Sequence, residues 1–351
     1  RKGNMVYSRY ILLAFLIALA SLVFGICFTF AGDWAAYIAL VPIPGFVAVY
    51  CVSERRALKV PLRCTRRAGR ISALNALLSF IVCFALVLAA NAAAFYAGAE
   101  IVAHLRYLPL AVVPILLPVL LRLAAALERP YATARNRKYV AAAREKLASA
   151  PCKKIGITGS FGKTSVKNFL AALLSERYTV VATPASYNTP VGIAKAAEGA
   201  DLSAADFFLA EMGARRAGDI EELASLVAPD HCILTGVCPQ HVETFGSVEA
   251  VLAEKAKLLS GTKAGGFAVV GMDENTRGLD LAALPLQCIR VGEGEAFGAR
   301  NIRLSAEGAE FELMLGGEGT EVRTRLLGRH SVHDLALAAA MAHCLGIPRE
   351  G

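Results

Sequence analysis

The sequence is short of charge. Only 19% of its 351 residues are Asp, Glu, Lys or Arg, while 56% are hydrophobic and the mean hydropathy is +0.49. Soluble domains carry about 25% charged residues, so this composition excludes a chain that is soluble throughout. Acidic residues are scarcest in the first 150 positions, which hold 5 Asp/Glu against 18 Lys/Arg. The remainder holds 24 against 19, so a net +13 half precedes a net −5 half. The basic excess sits with the apolar residues, where it reports membrane topology rather than a nucleic-acid partner. CxxC pairs are absent. The nine cysteines, at 27, 51, 64, 83, 152, 232, 238, 288 and 344, suggest neither a zinc site nor a disulfide framework, and fit free thiols in a reducing compartment. The chain opens on Arg1 rather than Met, as expected of a piece of a longer protein.

What is abundant is apolar length. Residues 10–30, 34–52 and 71–99 are uncharged, and each is long enough to cross a hydrocarbon core of about 30 Å. A fourth segment, 107–127, carries Pro109, Pro114, Pro118 and, near its end, Arg122, which can snorkel. Seven basic residues between Arg55 and Arg70 separate spans two and three, and Arg129, Arg135, Arg137 and Lys138 follow span four. Positive loops stay in the cytoplasm, so four spans place both ends inside. The expectation is a multi-pass protein of the plasma (inner) membrane, with the lipid bilayer as partner and the following domain cytoplasmic. Span one is too long for a typical signal peptide. No acidic residue or histidine lies mid-span, so the spans read as an anchor, not a transporter. Residues 131–150 read as a basic linker helix along or below the membrane surface, ended by Ala150-Pro151.

From Cys152 the pattern changes. β-rich runs at 153–158, 178–183, 207–211, 231–237, 266–270 and 287–291 alternate with Ala- and Leu-rich stretches in the early part. That rhythm predicts an α/β domain with a mostly parallel sheet covered on both faces. Residues 300–327 alternate with turn signals and predict a small antiparallel meander, and a helix is expected over 332–345. The expected organisation is an all-α transmembrane bundle of about four helices at 1–130, the linker at 131–150 and the α/β domain at 151–351.

Within the first strand–helix turn lies KIGITGSFGKTS, residues 154–165. Glycines let backbone N–H groups crowd a phosphate, and the following helix adds positive potential at its N-terminus. Thr158, Gly159, Ser160, Gly162, Lys163, Thr164 and Ser165 form this loop. Lys163 would neutralise the β and γ phosphates and the Thr164 hydroxyl would ligate Mg²⁺. The spacing departs from GxxxxGK[ST], because Gly156 precedes Gly162 by six positions; the matching element is TGSFGKT.

TGSFGKTS resembles the ATP loop of the Mur ligase family, TGxxGKT[ST], and further matches follow in the family's order. TPASYNTPVGI (183–193) is similar to its tandem-Asn segment. EMGARRAGDI (211–220) and TGVCPQHVETFGS (235–247) resemble elements of the D-alanyl-D-alanine-adding, MurF-type branch. GRHSVHDLALAAA (328–340) resembles its GxHNxxNxLAA. The resemblance covers residues 152–348. It implies an α/β P-loop central domain that uses ATP and Mg²⁺ to phosphorylate a muramyl-peptide carboxylate. An amino acid or dipeptide amine, such as D-Ala-D-Ala, then attacks the acyl phosphate. Metal ions and lysine would offset the repulsion between the two anions.

The same resemblance assigns roles. Glu211 would bind Mg²⁺, its plainer role being that of a helix-capping acid. His241 would be a ligand of a second Mg²⁺, and Lys255, carbamylated, would join them; a lysine on such a helix is otherwise an ordinary surface residue. Tyr187, Asn188 and Thr189 would face the muramyl substrate or its carboxylate, Thr189 standing where the family more often has Asn. His330 matches the family, while Ser331 and Asp334 replace Asn. Asp334 would meet the base of ATP, and an ionised carboxylate accepts hydrogen bonds without donating. The family's N-terminal uridine-binding domain is expected to be replaced by the four spans, and its C-terminal domain to be missing after Gly351. Alternatives are another Mur-like ligase acting on a lipid-linked precursor, folylpolyglutamate synthase, and a degenerate membrane-anchored nucleotide-binding scaffold. The zinc ribbon of one lipid-linked branch has no cysteine pairs here to build it.

Overall fold

The computed structural model describes residues 65–97, 113–185, 187–240 and 242–348. The chain divides into two compact units, Arg1–Arg135 and Asn136–Gly351. The boundary falls inside a helix, so residues 136–149 belong with the second unit.

In the first unit α1 (Arg66–Ala97) is uninterrupted and apolar, with Leu77, Phe80, Ile81, Phe84 and Leu88 exposed. Among the described residues it provides the single segment, Arg66–Ala93, long and apolar enough to cross a membrane. It coincides with expected span three. Spans one and two lie outside the described residues, as do the start of span four and the end of span three, so a four-helix bundle is not established. The rest of span four opens α2 (Val113–Ser149). The guanidinium groups of Arg67 and Arg70 reach the Glu128 carboxylate of α2 at 3.0 and 2.6 Å, and Arg70 lies over the Tyr131 ring.

The structure corrects the expected linker. Residues 131–149 do not form a separate helix, because α2 runs through Pro118 and Pro130 without ending. A proline removes one backbone hydrogen bond and kinks a helix. The surrounding Ala-, Leu- and Arg-rich sequence carries the helix past it. Nor does the end of α2 lie free, since Leu147 is fully buried in the core of the second unit. Lys146 Nζ donates to the carbonyls of Glu198 and Ala200, and the Tyr139 hydroxyl bonds the Glu198 carboxylate.

The second unit is built on β1 (Lys153–Thr158), α3 (Lys163–Leu174), β2 (Val180–Ala182), α4 (Pro190–Glu198), β3 (Phe207–Glu211), α5 (Asp219–Val227) and β4 (His231–Leu234). There follow α6 (Val242–Phe245), α7 (Val248–Ser260), β5 (Phe267–Gly271) and β6 (Gln287–Val291). The six strands form one parallel sheet in the order β2-β3-β1-β4-β5-β6. Alternate residues serve its two faces. Phe208 and Ala210 pack with α5 and α7, while Phe207 and Leu209 pack with Ile155, Ile157 and the buried face of α3. Strands covered on both sides read as continuous apolar runs, as these do. β7 (Gly298–Leu304), β8 (Ala309–Leu315) and β9 (Glu318–Thr324) form the antiparallel meander. Finally α8 (Arg329–Cys344) lays its alanine-rich face against α3 in the second core cluster. The chain builds the sheet from β1 first to one side, through β2 and β3, and then crosses to the other, through β4, β5 and β6, so the winding reverses at β1. The crevice at its carboxyl end is where open α/β sheets bind ligands.

Candidate active site

At that crevice β1 gives way to the glycine-rich turn. Gly159 has φ +153°, and a Cβ there would lie 1.9 Å from Thr235 Oγ1, so no larger residue lets the turn pass so close to the end of β4. The turn is further held by Ser160 N–H donating to the Gly236 carbonyl and Thr158 Oγ1 donating to Met212 O. Gly162, left-handed at φ 73°, starts α3 without a side-chain cap. The first-turn N–H groups of α3 therefore have no side-chain acceptor and face the crevice end, an arrangement suited to phosphate.

Two lysines converge on one atom of this turn. Lys163 Nζ donates to the Gly159 carbonyl at 2.7 Å, and Lys255 Nζ, from α7, donates to the same oxygen at 2.9 Å. Lys255 is buried, unlike an ordinary surface lysine. Burial, and then the neighbouring Lys163 charge, pull its pKa down to about 8. Burial also lowers Lys163, partly opposed by Glu211.

Glu211, at the end of β3, is buried and fully engaged. Its Oε2 accepts from Thr164 Oγ1 at 2.8 Å and from Lys167 Nζ at 3.2 Å; its Oε1 accepts from Asn188 Nδ2 at 3.2 Å. Adjacent oxygen ligands of an octahedral Mg²⁺, each about 2.0–2.1 Å from the ion, lie about 2.9 Å apart. The Thr164–Glu211 pair matches one edge of that octahedron, so the donor chemistry fits Mg²⁺. Among the described residues no three His, Cys, Asp or Glu side chains cluster. Mg²⁺ needs no such cage, since it keeps waters and takes one or two protein ligands beside phosphate. Of the expected second-metal set, His241 lies outside the described residues, while Lys255 and Glu211 are both buried.

The remaining expected residues divide. Asn188 is anchored on Glu211, and its carbonyl accepts from Gly213 N–H at 2.9 Å. The Thr189 hydroxyl caps α4 by accepting from Gly192 N–H, a local structural duty. Tyr187 is exposed beside them. Asp334 lies so close to the phosphate turn that a Cβ on Gly162 would meet its Oδ1 at 2.2 Å. It is buried, its Oδ1 has no hydrogen-bond partner, and burial raises its pKa against the opposing influence of His333, His330 and Ser165. His330 is exposed next to it on α8, and Ser331 Oγ turns back to the Leu327 carbonyl.

Two participants were not anticipated. Lys167 is buried beside Glu211, and the sequence held a signal for it: it falls on the apolar face of α3 with Val166, Leu170 and Leu174. Asp273, after β5, accepts from Val237, Asn275 and Thr276 N–H groups and so fixes the loop following β4. No spacing in the sequence marks that pairing.

Comparison with known proteins agrees with this geometry. Residues 157–342 match the Mur ligase middle domain. The chain is 29% identical over 200 residues to the UDP-N-acetylmuramoyl-tripeptide--D-alanyl-D-alanine ligase of Escherichia coli, covering 56% of this chain and 44% of that protein. It is 31% identical over 218 residues to the ligase of that name from Treponema pallidum, covering 59% and 46%. The chain thus spans less than half the length of these curated relatives. Among solved structures, MurF from Acinetobacter baumannii matches with TM-score 0.58 and 25% identity, covering 61% of this chain and 48% of that one. MurF from Thermotoga maritima in complex with ADP matches with TM-score 0.56 and 25% identity, covering 61% and 50%. Strand order, phosphate turn and sequence agree, and the chain belongs to the Mur ligase family, whose middle domain it contains.

Proposed function

We propose that the protein is an ATP-dependent ligase of peptidoglycan precursor synthesis, of the kind that joins D-alanyl-D-alanine to a UDP-N-acetylmuramoyl-tripeptide. The observation that carries this reading is the 2.8 Å approach of Thr164 Oγ1 to Glu211 Oε2 at the phosphate turn. Bound ATP with Mg²⁺ supplies the phosphoryl group and much of the positive charge. The chain's residues do the rest. The uncapped N-terminus of α3 and Lys163 hold the phosphates, while Thr164 and Glu211 hold the metal. Lys163 Nζ swings from the Gly159 carbonyl to the transferring phosphate. The carboxylate would attack that phosphorus and displace ADP, and the amine would then attack the acyl carbon, lose a proton and expel phosphate. Lys255 acts as a carbamate, which turns a cation into a carboxylate-like ligand beside the turn. Incubating the full-length protein with ATP, Mg²⁺, the muramoyl-tripeptide and D-Ala-D-Ala tests the assignment. The expected product is heavier than the tripeptide by one dipeptide less one water; ATP consumption without that product contradicts it.

A second reading, a degenerate nucleotide-binding scaffold, draws on Asp334, a buried carboxylate beside the phosphate turn whose Oδ1 has no hydrogen-bond partner. The carboxylate's raised pKa means the folded state prefers it protonated, so stability is lost as pH rises through the folded value. Nucleotide phosphate adds further negative charge. Asp334→Asn is therefore expected to tighten ADP binding several-fold at neutral pH and to raise the unfolding temperature. Calorimetric titration and thermal unfolding check both, and unchanged or weaker binding counts against this account of the site.

We also place the ligase at the membrane. The length and exposed apolar surface of α1, and the basic residues flanking it, support a span with the catalytic unit on the cytoplasmic side. The four-span arrangement and the preference for a lipid-linked muramyl substrate are part of the same proposal. Full-length protein in nanodiscs is expected to show the higher kcat/KM on the lipid-linked precursor. Equal or better use of the nucleotide-linked form, unchanged by removing residues 1–130, would assign the membrane part no share in substrate choice.

A further inference from the structure

Lys167 occupies an unusual position for a lysine. Its side chain is 1% exposed, and its ammonium makes three hydrogen bonds, matching its three N–H donors. One goes to Glu211 Oε2 at 3.2 Å. The other two go to the backbone carbonyls of Thr183 at 2.7 Å and Ala185 at 2.6 Å. No donor remains to reach a phosphate, although Lys167 lies one helical turn after Lys163.

The segment it grips leads from β2 to α4 and carries Asn188. Ala185 has φ +42°, a left-handed conformation that costs a non-glycine residue of order 1 kcal/mol and persists where surrounding contacts impose it. Lys167 binds that residue's own carbonyl. The segment is tied to β3 elsewhere as well. Thr183 N–H donates to Leu209 O, and Glu211 N–H donates to Thr183 Oγ1. Asn188 then closes the circuit on Glu211 Oε1. A buried ammonium without partners would be strongly destabilising, so these acceptors and the lysine fix one another.

We propose that Lys167 is a positioning residue that sets Glu211 for the metal and locks the backbone of Thr183 and Ala185 to it, so that the metal site is held in register with Asn188. This rests on the reading of Glu211 as a Mg²⁺ ligand. Lys167 fixes one side of Oε2 and Thr164 Oγ1 lies against it, which leaves the rotation of the carboxylate little freedom. Preorganised ligands of this kind lower the cost of binding a reluctantly dehydrated ion.

The test separates positioning from mere support of the fold. The affinity of the full-length protein for ADP is measured by calorimetry with Mg²⁺ and with EDTA, for the wild type and for Lys167→Met. A second variant, Lys167→Gln, retains donors for the two carbonyls but not the cation, and replaces the first should Lys167→Met fail to fold. The expected result is that metal-free ADP affinity stays within about threefold of wild type, while the Mg²⁺-dependent gain in affinity shrinks at least tenfold. Loss of both affinities in parallel, or retention of the full Mg²⁺ gain, overturns the proposal. A wild type that shows no Mg²⁺ gain overturns the metal reading of Glu211 itself, a different failure visible in the same experiment.

Discussion

Lys163→Ala is expected to reduce product formation by ~100–1000-fold, the scale of losing a principal electrostatic contact to developing charge in a water-poor site. The lysine starts α3, where the backbone already points its free N–H groups at the phosphate turn. Its ammonium rests on the Gly159 carbonyl, 2.7 Å away, and burial lowers its pKa, so it is held partly desolvated. A triphosphate offers it a far stronger partner than a neutral carbonyl. The substitution removes the side-chain hydrogen bonds to the Gly159 and Ser160 carbonyls from a turn that keeps its contacts through Ser160 N–H, Thr158 and Thr235. The fold should survive, with an unfolding temperature within a few degrees of wild type. Wild-type-like turnover in a folded variant would show that the turn does not hold the reacting nucleotide.

The second large effect concerns Lys255. Carbon dioxide reacts with a neutral amine, the nitrogen forming a bond to carbon and releasing a proton. With a pKa of about 8, about a quarter of the amine is neutral at pH 7.5, against about a thousandth for lysine at its ordinary 10.5. Burial and the adjacent Lys163 charge thus prepare this lysine for carbamylation, and the resulting anion would lie beside the Lys163 cation. Carbamate occupancy should rise with pH through about 8 and with added bicarbonate. Activity in carbon dioxide-depleted buffer should fall most steeply below that pH and recover on adding bicarbonate. Lys255→Ala should lose up to ~100-fold in turnover, the upper range for groups that support a catalytic metal, and small carboxylates should partly restore it. Near-normal turnover of the variant, or indifference of the wild type to carbon dioxide, contradicts the carbamate.

The strands were legible because a parallel sheet favours short apolar or β-branched runs, and KKIGIT, FFLAE and QCIRV supply them at the positions where β1, β3 and β6 occur. The meander and final helix were legible from their change of period. The phosphate turn was legible because only glycine tolerates its backbone and its close approach to Thr235. What escaped is what depends on distant partners. Lys167 is marked only by its place on the apolar face of α3; its partners, the Thr183 and Ala185 carbonyls, are brought to it by the fold. Thr189 reads as a substitute for Asn, whereas the fold uses its hydroxyl to cap α4. The break expected near residue 130 rested on the change in composition; α2 continues through Pro130 because one missing hydrogen bond does not outweigh the helix-forming sequence on either side.

The most direct measurement uses ¹⁸O. The muramoyl-tripeptide is labelled in its reacting carboxylate and incubated with the full-length protein, ATP, Mg²⁺ and D-Ala-D-Ala, and the released phosphate is analysed by mass spectrometry. If the carboxylate attacks the γ-phosphorus and the amine displaces phosphate, each phosphate released carries one oxygen from the carboxylate, and its release requires the amine. Phosphate whose new oxygen comes from water, released at a rate indifferent to the amine, would contradict ligase chemistry at this site.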